Sequence, residues 1–232
     1  MAIDKAFTED PTMGTRRMSA HLANTGMPAN RKAVRRLYRE MGIMPIYPKP
    51  RLSRPGKGHK IYPYLLKGLD ISAPDQVWST DITYLPMPSG HMYLMAVMDI
   101  YSRRIVAWDI SNTMDVCFCK RVLRQALDTG RKPGIFNTDQ GSQYTSEEFT
   151  QALLDEGIRI SMDGKGRFID NIFIERFWRT LKYDYLYIYR PEAVKELRQG
   201  LSRWIERYNT VRTHSSVGNL TPDAAYFGRA AA

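Results

Sequence analysis

The sequence predicts an α/β protein built on a mixed five-stranded sheet with flanking helices, preceded by a small helical segment. Three observations carry this reading. From Gln76, the stretches "QVWSTDITYLPM", "MYLMAVMDIYS" and "RIVAWDIS" are alternating or apolar, and their connections are short enough to imply antiparallel pairing. Beyond them, the strand-like "GIFNTD" and "IRISM" are linked by helical patterns, which makes the sheet mixed. Positive charge is also segregated: residues 1–60 hold 13 Lys and Arg against 4 Asp and Glu, while the remaining 172 residues hold 21 against 20. A basic block of this kind favours a polyanion partner, most simply nucleic acid.

The first element, "MGTRRMSAHLANTGM", is helix-compatible and is broken by "TGMPAN". Asn30 is placed to cap a second helix, "RKAVRRLYREMG", which Gly42 ends. Val34, Leu37, Tyr38 and Met41 form its packing stripe, and Arg31, Lys32, Arg35, Arg36 and Arg39 occupy the other surface. Two short helices with a basic second one suit a helix-turn-helix module that binds DNA; a helical hairpin with a solvated face fits the same pattern. Residues 45–75 are rich in Pro, Gly and Lys and read as a linker, or as an arm following a phosphate backbone.

After the three antiparallel strands, "TMDVCFCKRVLRQALDTG" reads as a helix closing near Gly130, followed by the strand ending at Asp139. Thr145 and Glu148 suggest a capping box for "SEEFTQALLDEG", which Gly157 ends. A short strand, the loop "DGKGRF" and a long helix from about Asp170 complete the core; Asp170 is expected to be its N-cap, with Asn171 ordering the loop. Cys117 and Cys119 suit neither a disulfide nor a zinc knuckle and are expected to be small buried residues. The expected organisation is 1–44 helix-turn-helix-like, 45–75 linker, 76–188 catalytic core and 189–232 a helical extension and tail.

A carboxylate at the end of a buried strand is costly unless it caps a helix, pairs with a base or binds a cation. Asp139, in "NTDQGSQYTS", is such a residue; Asp81 lies within the first strand and Glu175 in "DNIFIERFWRTLKYD". Were strands one and four neighbours, both Asp side chains could reach one edge and a returning helix could bring Glu175, giving the all-oxygen site that hard divalent cations prefer. Arg179 and Lys182 share the helix face of Glu175 and could grip DNA phosphates; a Glu175–Arg179 surface ion pair is the plainer alternative.

These residues, with "RISMDGKGRFIDNIFIERFWRTLK" and "RYNTVRTHSSVGNLTPDAAYFG", resemble the OrfB-type DDE transposases of the bacterial insertion-sequence family that uses two reading frames, and more distantly the retroviral integrase catalytic core. The resemblance implies a ribonuclease H-like fold with strands one and four adjacent. It also implies Asp81, Asp139 and Glu175 as catalytic metal ligands for two Mg²⁺ or Mn²⁺ ions, and metal-dependent cleavage and strand transfer of DNA. Its implied partners are element ends and target DNA, further copies of the chain on that DNA, and an upstream-frame product that supplies a further DNA-binding and oligomerisation region. A non-catalytic DNA-binding remnant and a nuclease of the same fold are the alternatives.

No apolar run approaches a membrane span and no signal-peptide layout opens the chain, so a cytoplasmic protein, nucleoid-associated when bound to DNA, is expected. Asp99 and Asp109 are expected in turns or salt bridges, and Gln140, Gly141 and Ser142 in the turn beside Asp139. His21, His59, His91 and His214 are scattered without Cys partners, against a zinc module. Phe177, Trp178 and Leu181 are expected to face the core, and Trp204 and Tyr208 also read as core.

Overall fold

The computed structural model describes residues 2–45, 60–163 and 172–228. The expected loop after Asp163, the Asp170 cap and Asn171 lie outside the described residues, as does most of the Pro-rich stretch. The chain divides into two compact units, Met1–Leu52 and Ser53–Ala232.

The first unit holds three helices, α1 (Ala2–Glu9), α2 (Thr15–Asn24) and α3 (Arg31–Glu40), one more than the sequence suggested. The first is short, and its burial depends on tertiary partners: Ile3 and Ala6 pack with Met18, Leu22, Val34 and Tyr38. Asn30 caps α3 by accepting from the Ala33 amide at 2.9 Å, and Gly42 leaves the helix at φ +64°. Val34 and Tyr38 are fully inside, and the Tyr38 hydroxyl donates to the Met13 carbonyl at 2.7 Å. Arg31, Lys32, Arg35, Arg36 and Arg39 are all exposed. Two of them have partners within the unit: Arg36 lies 3.5 Å from Glu40, and Arg31 reaches Thr15 at 3.5 Å.

The second unit contains β1 (Val77–Met87), β2 (Gly90–Asp99), β3 (Ile105–Ser111), α4 (Val116–Leu127), β4 (Ile135–Thr138), α5 (Glu147–Asp155) and β5 (Arg159–Met162). There follow α6 (Ile172–Leu181), a π-helical turn (Lys182–Leu186), α7 (Tyr187–Tyr189), α8 (Val194–Thr210) and α9 (Pro222–Phe227). The sheet order is β3-β2-β1-β4-β5, with β1 antiparallel to β2 and parallel to β4. Trp78, Met95, Val97 and Phe136 pack on one face under α4 and α5. Leu85, Leu94, Ala96 and Met98 pack on the other against α6 and α8. Alternation along β1 and β2 therefore fills two cores from one sheet.

Four local expectations need correction. The N-cap of α5 is Ser146, whose Oγ accepts from the Phe149 amide at 3.3 Å, while the Thr145 hydroxyl donates to the Gly141 carbonyl at 3.1 Å. The helix begins one residue later than a Thr145 box requires. Cys119 is buried, which pushes its thiol up to about 12, but Cys117 is exposed because a two-residue step turns a side chain by roughly 200° about a helix. The end of the expected linker is not a free connector: Leu66 is buried with Val77, Ile100 and Ile135, and the Leu65 amide donates to Ser161 Oγ at 3.0 Å. Its apolar residues Tyr64, Leu65 and Ile71 pack on that same cluster, so the stretch joins the core. Lastly, the long helix is interrupted after Leu181 by the π-turn.

Asp99 and Asp109 have the structural roles expected of them. Asp99 accepts from Asp75 N, Ser102 N and Ser102 Oγ, all within 2.8 Å. Asp109 holds Arg121 at 2.8 Å and Arg198 at 2.6 Å, tying β3 to α4 and α8. At the outer edge of β3, Asn209 accepts from Ile105 N and donates to Ile105 O, each at 2.9 Å. The tail returns to the core where Arg104 pairs with Asp223 at 2.7 Å and the Tyr226 hydroxyl donates to Asp75.

Candidate active site

Parallel pairing of β1 with β4 sets the site. The register runs Val77 to Ile135, Trp78 to Phe136 and Ser79 to Asn137, and Asp81 and Asp139 each stand two residues beyond the last of these pairs. Both carboxylates thus leave neighbouring strands at the same level. Asp81, Thr83 and Leu85 share one face of β1, and Leu85 is buried in the cluster that contains Ile174, Phe177, Trp178 and Leu181 of α6. Packing of Leu85 under α6 therefore brings the helix that carries Glu175 over Asp81.

Contacts around Asp81 are specific. Its Oδ2 accepts from Trp178 Nε1 at 3.0 Å. Burial pushes its carboxyl up to about 6; hydrogen bonds from Trp178 and the Ile82 amide oppose that rise, and the charges of Asp139 and Glu175 add to it. Asp139 is likewise raised by burial, against the pull of the Gly141 amide, which donates to Oδ1 at 2.8 Å. A Cβ at Gly141 would stand 2.9 Å from that oxygen, so glycine lets the turn close on the carboxylate. Glu175 is exposed in the first turn of α6.

Asp139 and Glu175 are thus both within electrostatic reach of Asp81, yet the three acids do not form a closed ligand shell. Among the described residues no three His, Cys, Asp or Glu side chains stand as a ready-made metal cage. The donor set nevertheless fits a hard divalent cation: the candidate donor atoms are carboxylate oxygens, and a cation would offset the burial and like charge that raise Asp81.

The two cations expected nearby are placed differently. Lys182 Nζ donates to Thr83 Oγ1 at 2.8 Å, on the β1 face of Asp81; burial lowers its pKa and the Asp81 charge opposes that. Arg179 is exposed, its guanidinium 5.8 Å from the Tyr183 ring centre, and no Glu175–Arg179 ion pair occurs among the described residues.

Comparison with known proteins decides the family. Integrase core domain profiles match residues 71–167 and 156–222, and an HTH-like domain profile matches residues 1–51. The transposase for insertion sequence element IS904 of Lactococcus lactis is 35% identical over 224 residues, covering 90% of this chain and 85% of the relative. Transposase InsF for insertion sequence IS3A of Escherichia coli is 31% identical over 235 residues, covering 94% and 78%. The chain belongs to the OrfB-type DDE transposases. The fold agrees: the HTLV-2 integrase catalytic core in complex with magnesium superposes with a TM-score of 0.55 at 19% identity, covering 66% of this chain and 97% of that one. A chain of the simian T-cell lymphotropic virus intasome in complex with PP2A regulatory subunit B56 gamma gives 0.60 at 18% identity, covering 95% and 72%.

The transposase is thus an enzyme of DNA cleavage and strand transfer, and its sheet is the ribonuclease H-like sheet of the integrase core. Two residues of the site escaped the sequence reading. Trp178 was expected only in the core, where it does lie at 5% exposure, but its indole N–H is aimed at Asp81. Thr83 gave no signal beyond standing two residues after Asp81, which puts it on the same strand face. No helix among the described residues is long and apolar enough to cross a membrane.

Proposed function

We propose that Asp81, Asp139 and Glu175 are the catalytic carboxylates of this transposase and hold a pair of Mg²⁺ or Mn²⁺ ions. The single observation carrying this reading is the convergence on the buried Asp81, with Asp139 at the same level of the neighbouring strand and the charges of both Asp139 and Glu175 felt at its carboxyl. When bound, such ions supply Lewis-acid activation of the attacking water or DNA 3′-hydroxyl and stabilise charge on the leaving 3′-oxygen. The protein's own groups prepare the site. Trp178 and the Ile82 amide orient Asp81, and the Gly141 amide holds Oδ1 of Asp139. Glu175, exposed on α6, is free to swing towards them. Lys182 sits beside Asp81 as a positioned cation, and Arg179 extends from the same helix face to meet DNA phosphates.

The first unit, on this reading, grips DNA through Arg31, Lys32, Arg35, Arg36 and Arg39, in keeping with their exposure. The enzyme works on element ends and target DNA as a homo-oligomer, with an upstream-frame product as partner and the bacterial cytoplasm, on the nucleoid, as its place. Oligomeric action is supported by the likeness to a chain of an intasome.

The test is cleavage and joining of a duplex carrying the element's end, with Mg²⁺ or Mn²⁺. Wild-type protein is expected to do both, and Asp81→Ala and Asp139→Asn neither. Activity surviving in either variant removes the assignment; cutting without joining makes the chain a nuclease.

A further inference from the structure

A second polar site lies on the next face of α6. Phe173, Arg176 and Thr180 follow at i, i+3 and i+7, and Arg176 is rotated by roughly 100° from Glu175. Together with Arg103, Arg212 and His214 they line a cavity of about 300 Å³. Three guanidinium groups thus converge on one hollow, and no carboxylate is among its lining residues. Among the described residues neither Arg103 nor Arg176 has an ion-pair partner, while Arg212 leans on Asp184 at 2.6 Å.

The wall is built for its charges rather than collapsed around them. Arg103 stands on a left-handed backbone at φ +68°, with its guanidinium 3.5 Å from the Phe173 ring centre. Burial lowers its pKa and so does Arg176, while Tyr208 and Asp99 pull the other way. The Nε2 atom of His214 is buried and has no hydrogen-bond partner among the described residues. Burial, then Arg212 and Arg103, hold His214 below its ordinary range, so the ring is neutral and one nitrogen can donate. An oxyanion would satisfy the imidazole and the guanidinium forks at once, while the Thr180 hydroxyl on the same wall already donates to the Arg176 carbonyl at 2.9 Å.

We propose that this cavity seats one backbone phosphate of the DNA on which the transposase acts, with Arg176 and Arg103 as its principal ligands and His214 as a donor. The source of the phosphate rests on the transposase reading; the affinity of the cavity for the anion does not. Because Arg176 adjoins Glu175 in sequence, a phosphate held here fixes the DNA relative to the helix that carries the third acid.

The test uses the full chain in two arms, neither of which requires cleavage. In the first, inorganic phosphate is titrated against sodium chloride at equal ionic strength while the His214 imidazole is followed by nuclear magnetic resonance. Its signals are expected to move saturably with phosphate and not with chloride, and Arg176→Gln is expected to weaken the response by about 10-fold or more. A wild-type His214 that ignores phosphate overturns the proposal. In the second, binding of a random-sequence duplex is compared at 50 and 200 mM salt. Loss of one phosphate contact flattens the salt dependence, so wild type should lose about 3.5-fold more affinity across this range than Arg176→Gln, with Arg176→Lys close to wild type. Phosphate binding with an unchanged salt dependence would mean a free-anion site and would overturn the DNA assignment, whether or not the enzyme cuts.

Discussion

Trp178 Nε1 donates to Asp81 Oδ2 at 3.0 Å, so an indole otherwise buried in the α6 core reaches through to the first acid of the site. That hydrogen bond favours the ionised carboxylate and restrains the rise caused by burial. Trp178→Phe keeps an aromatic ring in the core and removes the donor. A hydrogen bond to a charged group is worth about 1.5 kcal/mol or more, which corresponds to about one pH unit. The acid limb of the pH profile of metal-dependent cleavage is expected to move up by that amount. An unmoved limb would mean that the indole only fills space.

Asp81 should cost the metal-free protein stability. Its carboxyl titrates at about 6 in the fold against an ordinary 3.8. Between those values the folded protein keeps a proton that the unfolded chain has released, so this group's contribution falls as pH rises through the window and levels off above it. Asp81→Asn removes that fall, and at pH 7 should raise unfolding free energy by up to roughly 3 kcal/mol. Urea unfolding at pH 4 to 7 without divalent cations measures it. A smaller slope should persist, since burial raises Asp139 as well. Equal stability of variant and parent at pH 7 would contradict the burial assigned to Asp81.

Gly141 acts on the site through space rather than through charge. A methyl group there would meet Asp139 Oδ1 at 2.9 Å and Gln143 Nε2 at 2.5 Å, and the Gly141 amide is the donor that orients the carboxylate. Gly141→Ala should therefore turn Asp139 and lower metal-dependent cleavage by about 10- to 100-fold. Duplex binding measured without metal should stay near wild type. Cleavage at the parental rate would show that the turn relaxes freely.

How much of this was legible in the sequence depended on the range of the cause. The five strands, the Asn30 cap and the place of Asp139 follow from local alternation and turn chemistry, and the structure has them. The adjacency of β1 and β4 did not follow from periodicity and came only with the family resemblance, because pairing between strands more than fifty residues apart leaves no local trace. Trp178 was legible as core and illegible as a partner of Asp81, since a core indole and an aimed indole have the same helical spacing. The helix α1 was missed because its burial comes from α2 and α3 rather than from its own sequence. Residues 60–75 read as a linker because Pro and Gly outweighed the Tyr and Leu side chains that dock it.

Asn209 offers a test of the tail independent of catalysis. It lies at 7% exposure on α8, and its amide exchanges two hydrogen bonds with the main chain of Ile105 at the free edge of β3. Asn209→Ala leaves a buried N–H and C=O without partners, which costs about 2–3 kcal/mol and should lower Tm by roughly 4–10 °C. Asn209→Asp keeps one of the two hydrogen bonds and loses the other. Its carboxylate can accept from the Ile105 amide but faces the Ile105 carbonyl with an oxygen, which raises its folded pKa. The folded state then keeps a proton longer than the unfolded chain, and stability should recover as pH falls towards 4. An Asn209→Asp protein as stable as wild type at pH 8, or one that gains nothing relative to wild type on acidification, would mean that this side chain does not bridge the strand edge.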